Sequence, residues 1–235
     1  VHKELKSWTG WGQKNLNILD GGAGFGQYTY YMAKHNPSWK VTSIDVKEEQ
    51  VADCNQFFEQ IGMKDRVHFE VGDLTKYVRT EQYDLVVCVD VMEHILEDVQ
   101  VFENYRASMK PGAMLLISTP SDQGGSGLEE HEDGEVHGFI DEHVRDGYPI
   151  DEIQEKLTGA GFSKVEARYQ YGAPGSVAWK LSMYYPMRVL NVSKIFFIIL
   201  PFYYLLTWPL SAFLNWRDVN KTHVTGTGLI VKAWK

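Results

Sequence analysis

The sequence predicts an α/β fold: a doubly wound, seven-stranded, mostly parallel sheet with an apolar helical insertion before its last strand. Three observations carry this expectation. Short apolar runs alternate with amphipathic stretches through the first two-thirds of the 235 residues, as in repeated βα units. A glycine-rich turn follows the first of these runs directly. The run at 83–89 is apolar without alternation, as required of a strand covered on both faces. The chain reads as one domain, 1–235, with residues 173–222 as the insertion.

The elements follow in order. Residues 17–20 (NILD) form the first strand, and 21–26 a turn. Residues 27–35 form a helix that stops before Pro37, which cannot continue it. Residues 40–44 make the second strand, and 48–61 a helix closed by Gly62. The third strand is 67–71 and the fourth 83–89. A helix over 98–109 ends at Lys110-Pro111-Gly112, and 113–118 is the fifth strand. Residues 120–138 are glycine- and acid-rich, too long for a plain connection, and read as a lid. A helix over 149–159 opens on Asp151 and Glu152, which suit the positive end of its dipole. Strands at 164–171 and 226–234 complete the sheet.

Composition narrows the function. A net charge of −8, with no visible stripe of Lys and Arg, disfavours nucleic acid as a partner. Cys54 and Cys88 sit among apolar neighbours and offer neither a disulfide framework nor metal-ligand spacing; they read as buried thiols. That suits a reducing compartment. The opening VHKELKSWTGWGQKN is polar and lacks the apolar core of a secretory signal. A cytoplasmic protein is expected.

The chemistry-bearing motifs fall at strand ends. Asp20-x-Gly22-x-Gly24-x-Gly26 lies between a strand and a helix, where bare backbone can approach a ligand closely. The dinucleotide fingerprint G-x-G-x-x-G fails here, because Gln27 and Thr29 stand where its third glycine would be. Asp45 ends the second strand, 25 residues beyond Asp20, where a carboxylate can accept from both hydroxyls of a ribose. Its bland alternative is a helix cap. Asp73, with Leu74, follows the third strand, where a carboxylate can accept from an adenine amino group. Asp90 to His94 follow the fourth. In an open α/β sheet ligands bind outside the carboxyl ends of the strands, and all four motifs sit there.

These segments (ILDGGAGFG, VTSIDV, VGDL, YDLVVCVDVMEHI, MKPGAMLLISTP and EHVRDGYPIDEIQEKLTGAGF) resemble the class I S-adenosylmethionine-dependent methyltransferases. The resemblance covers about 15–171 and 224–234, and is nearest to the group containing the ubiquinone- and menaquinone-biosynthesis methyltransferases. It implies a Rossmann-like methyltransferase fold and S-adenosylmethionine as cofactor. By this resemblance Asp20 and the turn through Gly22, Gly24 and Gly26 surround the methionine part, and Asp45 with Val46 takes the ribose. Asp73 and Leu74 flank the adenine, and Asp90 lines the sulfonium side. Gly21 departs from the pattern, which has an apolar residue there; the expected consequence is a looser turn.

Methyl transfer from a sulfonium is an in-line displacement, so holding donor and nucleophile in line and excluding water supply much of the catalysis. A phenol or amine acceptor still benefits from a base near neutral pKa. His94 is best placed for this and His143 is the second candidate; His131 and His137 fall in the lid and read as solvated. Asp90-x-x-Glu93-His94 also resembles an acidic/His motif that some quinone O-methyltransferases use for a divalent cation, but no metal is assigned, since similar segments occur in metal-free relatives.

Residues 195–214 (IFFIILPFYYLLTWPLSAFL) carry no charge and are long enough to cross a bilayer. Pro201 and Pro209 argue for broken helices, and the seventh strand must rejoin the sheet on the same side. Short helices covering a hydrophobic acceptor are expected, with a possible dip into a membrane surface. A buried dimer interface or an extension of the core remains the alternative. The expected function is methylation of a small hydrophobic acceptor, aromatic, quinone-like or lipid. A membrane-peripheral donor-binding or scaffold protein without turnover is the competing class, which methyl release would separate.

Overall fold

The computed structural model describes residues 1–124 and 144–235. Its centre is a seven-stranded sheet of β1 (Asn17–Gly21), β2 (Lys40–Asp45), β3 (Val67–Val71), β4 (Tyr83–Val89), β5 (Met109–Pro120), β6 (Lys164–Gln170) and β7 (Gly228–Trp234). The spatial order is β3-β2-β1-β4-β5-β7-β6. All neighbours pair parallel except β7, which is antiparallel to both β5 and β6. The expected doubly wound, mostly parallel sheet is therefore the observed one.

Helices α2 (Gln27–His35) and α3 (Glu48–Gln60) cover one face, and α4 (Asp98–Ser108) and α5 (Ile150–Gly159) the other. Leu85 and Val87 pack on the first side, while Val86 and Cys88 pack on the second, all without exposure. This two-sided burial is why β4 reads as an unbroken apolar run. Cys54 and Cys88 are buried free thiols.

Three differences from the sequence expectations have local causes. A short helix, α1 (His2–Ser7), was not anticipated; it spans too few residues to show a period. It is held by Leu5 in the core and by Glu4, whose carboxylate pairs with Arg168 at 2.7 Å and Lys232 at 3.2 Å. β5 starts at Met109, so Lys110-Pro111-Gly112 belongs to a strand; Lys110 is fixed there by Asp84 at 2.7 Å. The insertion is less broken than its prolines suggest. It comprises α6 (Ala173–Trp179), a π turn at Lys180–Tyr184, α7 (Tyr185–Val192), a 3-10 turn at Lys194–Ile198 and α8 (Leu200–Val219). Pro174, Pro186 and Pro201 occupy first-turn positions, where no amide donor is needed. Pro209 lies inside α8 and removes one hydrogen bond without ending the helix. Among the described residues no helix is long and apolar enough to cross a membrane.

Candidate active site

The carboxyl ends of β1 to β5 share one edge of the sheet. β6 ends there too, because it runs parallel to β5 through their common antiparallel neighbour. The glycine turn leaves β1 at this edge. Gly22, Gly24 and Gly26 all have positive φ, at 72°, 50° and 72°. A side chain at 22 would put its Cβ 2.3 Å from Val91, so the turn passes bare against the motif after β4. At Gly24 a Cβ would meet nothing within 4 Å, so the backbone there fronts open space.

The turn is laced to β2. Gly22 and Ala23 donate to the Ile44 carbonyl at 2.8 and 3.0 Å, and Gly24 donates to Asp45 Oδ2 at 2.8 Å. Asp45 Oδ1 accepts from the Lys47 amide at 3.0 Å. An ionised carboxylate has about four acceptor sites, so Asp45 keeps capacity on both oxygens. Asp45 therefore braces the turn and the Lys47 amide, while α3 starts from Lys47 with no side-chain cap; the helix-cap alternative for Asp45 is not the observed one. Val46 beside it is 64% exposed.

Asp20 sits beneath the turn. It accepts from Thr29 Oγ1 at 2.6 Å, Thr29 meets Ser43 at 2.7 Å, and burial pushes the Asp20 carboxyl up to about 6. Gly21 does not loosen the turn, because the space its side chain would need holds the Tyr105 hydroxyl, 2.2 Å from the ideal Cβ. Asp73 stays at the edge, accepting from the Thr75 amide and hydroxyl at 2.9 and 2.6 Å; those bonds and Lys76 hold its pKa down. Leu74 is different. Its side chain is 6% exposed and packs in the core, and its carbonyl accepts from Asn104 at 2.9 Å. A side-chain contact from Leu74 to an adenine does not follow.

Asp90 ends β4 with φ 53°, a left-handed conformation uncommon outside glycine and costly unless its surroundings enforce it. Its amide is tied to the Ser118 carbonyl at 2.8 Å. Its side chain is reachable from solvent yet surrounded by protein atoms, and that desolvation raises its carboxyl. Glu93, which the sequence did not single out for a role of its own, is the more altered group. It is 2% exposed, accepts from Thr119 Oγ1 at 3.1 Å, and burial pushes it up to about 7. His94 closes the same 3-10 turn, Met92–His94, half-buried, and its positive form would lower both Asp90 and Glu93. His143, with His131 and His137, lies outside the described residues. Among the described residues, no three His, Cys, Asp or Glu side chains group to hold a metal.

A cavity of about 720 Å³ opens on this edge between α1, the start of α2, the end of β6, α6 and the end of α8. Tyr28, Tyr171, Trp179 and Trp216 line it together with the cationic and polar side chains of Lys3, Lys6, Arg168 and Gln170. Tyr28 opens α2 two residues after Gly26 and Gln170 ends β6, so the cavity lies on the edge that carries the glycine turn. One carboxylate, Asp218, secures the cavity's roof. It is buried and accepts from the Tyr171 and Gly175 amides, both at 3.0 Å, with His223 at 3.0 Å. A Cβ at Gly175 would lie 2.6 Å from the Asp218 carboxyl carbon, so the helices close only over glycine. Nothing in the local sequence marked Asp218 as a brace between α6 and α8, since the two amides it accepts from lie 43 and 47 residues away. The insertion therefore covers the cavity with α6 and the end of α8, while α7 and the start of α8 extend beyond it.

The arrangement fits an adenosyl group joined to a cation. Gly24 offers an open backbone face, Asp45 offers spare acceptor sites, and Asp20, Asp90 and Glu93 are carboxyls that a nearby positive charge would help to ionise.

Comparison with known proteins agrees. The family described as a methyltransferase domain matches residues 12–157, more than half of the chain. Phosphoethanolamine N-methyltransferase 1 of Zea mays is 30% identical over 157 residues, which is 66% of this chain and 29% of that protein. Ubiquinone biosynthesis O-methyltransferase of Coxiella burnetii is 27% identical over 107 residues, 45% of this chain and 44% of that one. The matches span only 24% to 44% of the lengths of such curated relatives. Among solved structures, Haemonchus contortus phosphoethanolamine N-methyltransferase 2 in complex with S-adenosyl-L-methionine superposes with a TM-score of 0.66. The identity is 18%, over 94% of this chain and 49% of that one. An S-adenosylmethionine-dependent methyltransferase from Mesorhizobium loti gives 0.58 at 16% identity, over 98% of this chain and all of its own. At those identities the structures speak for the fold alone, and the family match carries the rest: the chain belongs to the class I S-adenosylmethionine-dependent methyltransferases.

Proposed function

We propose that the enzyme methylates a small, hydrophobic acceptor, aromatic, quinone-like or lipid, that enters the cavity beneath α6 and the end of α8. The observation that carries this reading is adjacency. The open glycine turn and a space of about 720 Å³ walled in part by aromatic side chains share one sheet edge, and Tyr28, which lines that space, lies on the helix that leaves the turn. Of the relatives above, the one named for ubiquinone biosynthesis agrees with this acceptor class, whereas the one named for phosphoethanolamine points to a polar acceptor, which the test below separates.

Each residue then has a task. Asp45 and Val46 take the ribose, the backbone at Gly22, Gly24 and Gly26 takes the methionine part over the Asp20 brace, and Asp73 takes the adenine amino group. Asp90 and Glu93 give the sulfonium side a negative lining. The bound donor supplies an electrophilic methyl group. Tyr28 and Tyr171 orient the acceptor and displace water, and His94 takes the proton released by a hydroxyl or amine. The test is calorimetric titration with S-adenosylmethionine, followed by a screen of quinone-like and lipid acceptors with labelled donor, using Asp45→Ala as control. Donor binding with methyl release to polar acceptors only would refute the acceptor class.

A further inference from the structure

The outer surface of the insertion is built the wrong way round for a face bathed in water. Along α8 the side turned to the protein carries Tyr204, Thr207, Ser211 and Asp218, three of them polar beyond any packing need. The side turned to solvent carries Phe202, Leu206, Phe213 and Trp216, spaced by four, seven and three residues along one stripe. The turn before it is an apolar tip: Ile195, Phe197 and Ile198 are all exposed, Ile198 by 70% and Leu206 in the stripe by 79%. A patch this long, on a helix of about 30 Å, is larger than single scattered apolar residues explain.

Charge says what covers it. From residue 173 to 217 there is no Asp or Glu, whereas Lys180, Arg188, Lys194 and Arg217 are present and exposed, in a chain whose net charge is −8. A second copy of this face would bring those cations together with no carboxylate to meet them. An anionic surface with an apolar interior matches both features, and Trp208, Trp216 and Tyr185 are side chains suited to its boundary.

We propose that α7, the 194–198 turn and the outer stripe of α8 dock on a lipid bilayer bearing anionic headgroups. The helix lies in the interface and does not cross it. This rests on the acceptor reading above only for its purpose: Trp179 and Trp216 wall the cavity from the same insertion, so a lipid-soluble acceptor passes from bilayer to cavity without crossing water. The docking itself needs no acceptor.

The experiment is co-sedimentation of the full chain with phosphatidylcholine vesicles, with and without phosphatidylglycerol, while donor affinity is read separately by calorimetry. Binding to the anionic vesicles is expected, weakened by salt. The substitutions Ile198→Asp and Leu206→Asp should lower it at least tenfold, with donor affinity unchanged. Replacing the four cations by Gln should weaken anionic binding by about fivefold for each cation removed. Failure of the unaltered chain to bind either vesicle, with donor binding intact, overturns the proposal. Equal binding to both vesicles overturns its electrostatic half. A concentration-dependent dimer dispersed by Leu206→Asp, without vesicle binding, assigns the face to a second copy and also overturns it.

Discussion

The sheet edge and the insertion obey opposite rules of burial. At the edge, apolar side chains such as Leu74 and Val87 turn inward, and Asp20, Asp45, Asp73 and Glu93 are each tied to a hydroxyl or amide of the same chain. On α8, hydroxyls and a carboxylate turn inward while phenylalanine, leucine and tryptophan turn out. The first region is packed within the chain; the second leaves its apolar side chains exposed, which is the face proposed above to dock on a bilayer. Substitutions should therefore be costly in the first region and nearly silent in the second.

The largest expected effect is at Asp45. Asp45→Ala removes the acceptor holding the Gly24 amide and the one proposed for the ribose, each a hydrogen bond to a charged group worth about 1.5–3 kcal/mol. Donor affinity measured by calorimetry should fall at least a hundredfold, and unfolding should also be easier by about 1.5–3 kcal/mol, because the Gly24 amide loses its acceptor in the free chain as well. A fall below fivefold would mean that the ribose lies elsewhere.

Next is Asp98, at the start of α4, which holds the chain as it returns to the sheet after residue 143. Its buried carboxylate accepts from Tyr148 Oη at 2.8 Å and Lys156 at 2.7 Å, and also pairs with Arg145. Burial alone would raise its pKa, but the bonds from Lys156 and Tyr148 and the charge of Arg145 outweigh it, and the pKa is lowered. Asp98→Ala should cost about 3 kcal/mol in denaturant unfolding, because it leaves the part-buried Arg145 without a carboxylate and Lys156 with only Glu152. A carboxylate with a depressed folded pKa contributes fully above its unfolded value of about 4 and loses that contribution as pH falls through the folded value. The gap between the variant and the unaltered chain should therefore close in acid below about pH 4. A constant gap would exclude the ionic account.

Gly21→Ala probes the same inward packing at smaller scale. The new Cβ would lie 2.2 Å from the buried Tyr105 hydroxyl, an overpacking cost of about 1–3 kcal/mol. Adding Tyr105→Phe leaves the nearest ring atom at 3.0 Å and should recover much of the loss. Additive losses in the double variant would show that Tyr105 is not the obstacle.

These cases mark how much was legible in the sequence. The sheet and its edge motifs were, because each depends on a local pattern: an apolar run, a glycine turn, a carboxylate at a strand end. Asp218 and Asp98 were not, because the groups they brace lie far along the chain. The inward turn of Leu74 and the burial of Glu93 depend on which side of the backbone the core lies, and spacing alone does not give that. Pro209 misled for another reason: one missing hydrogen bond is a small loss in a helix of 20 residues with a packed inner face.

With the donor placed as proposed, Glu93 and Asp20 should make its binding sensitive to pH. Burial places them near 7 and 6, so both are partly protonated in the free enzyme around pH 6 to 7. A cation arriving beside them lowers those values, and binding then releases protons. Affinity for S-adenosylmethionine should rise as pH increases through this window, by up to about tenfold for each unit of pKa displaced. The neutral thioether product should show much less of this rise. Calorimetry in buffers of different ionisation enthalpy reads the proton directly; identical heats across buffers would place the sulfonium away from both carboxyls.

The smallest effect is the sharpest test of the contrast. Leu206→Ser on the outer stripe removes a side chain already in water, so unfolding in dilute buffer should shift by no more than about 0.5 kcal/mol. The matching change in the sheet, Leu116→Ser, removes a side chain with no exposure and buries a hydroxyl, and should cost more than 3 kcal/mol. If Leu206→Ser proved as damaging as Leu116→Ser, α8 would already be packed against another surface of this protein in solution, and the stripe would not be available to a bilayer. If it is silent in buffer yet removes the stabilisation that anionic vesicles confer, the two regions differ only in where each finds its apolar partner.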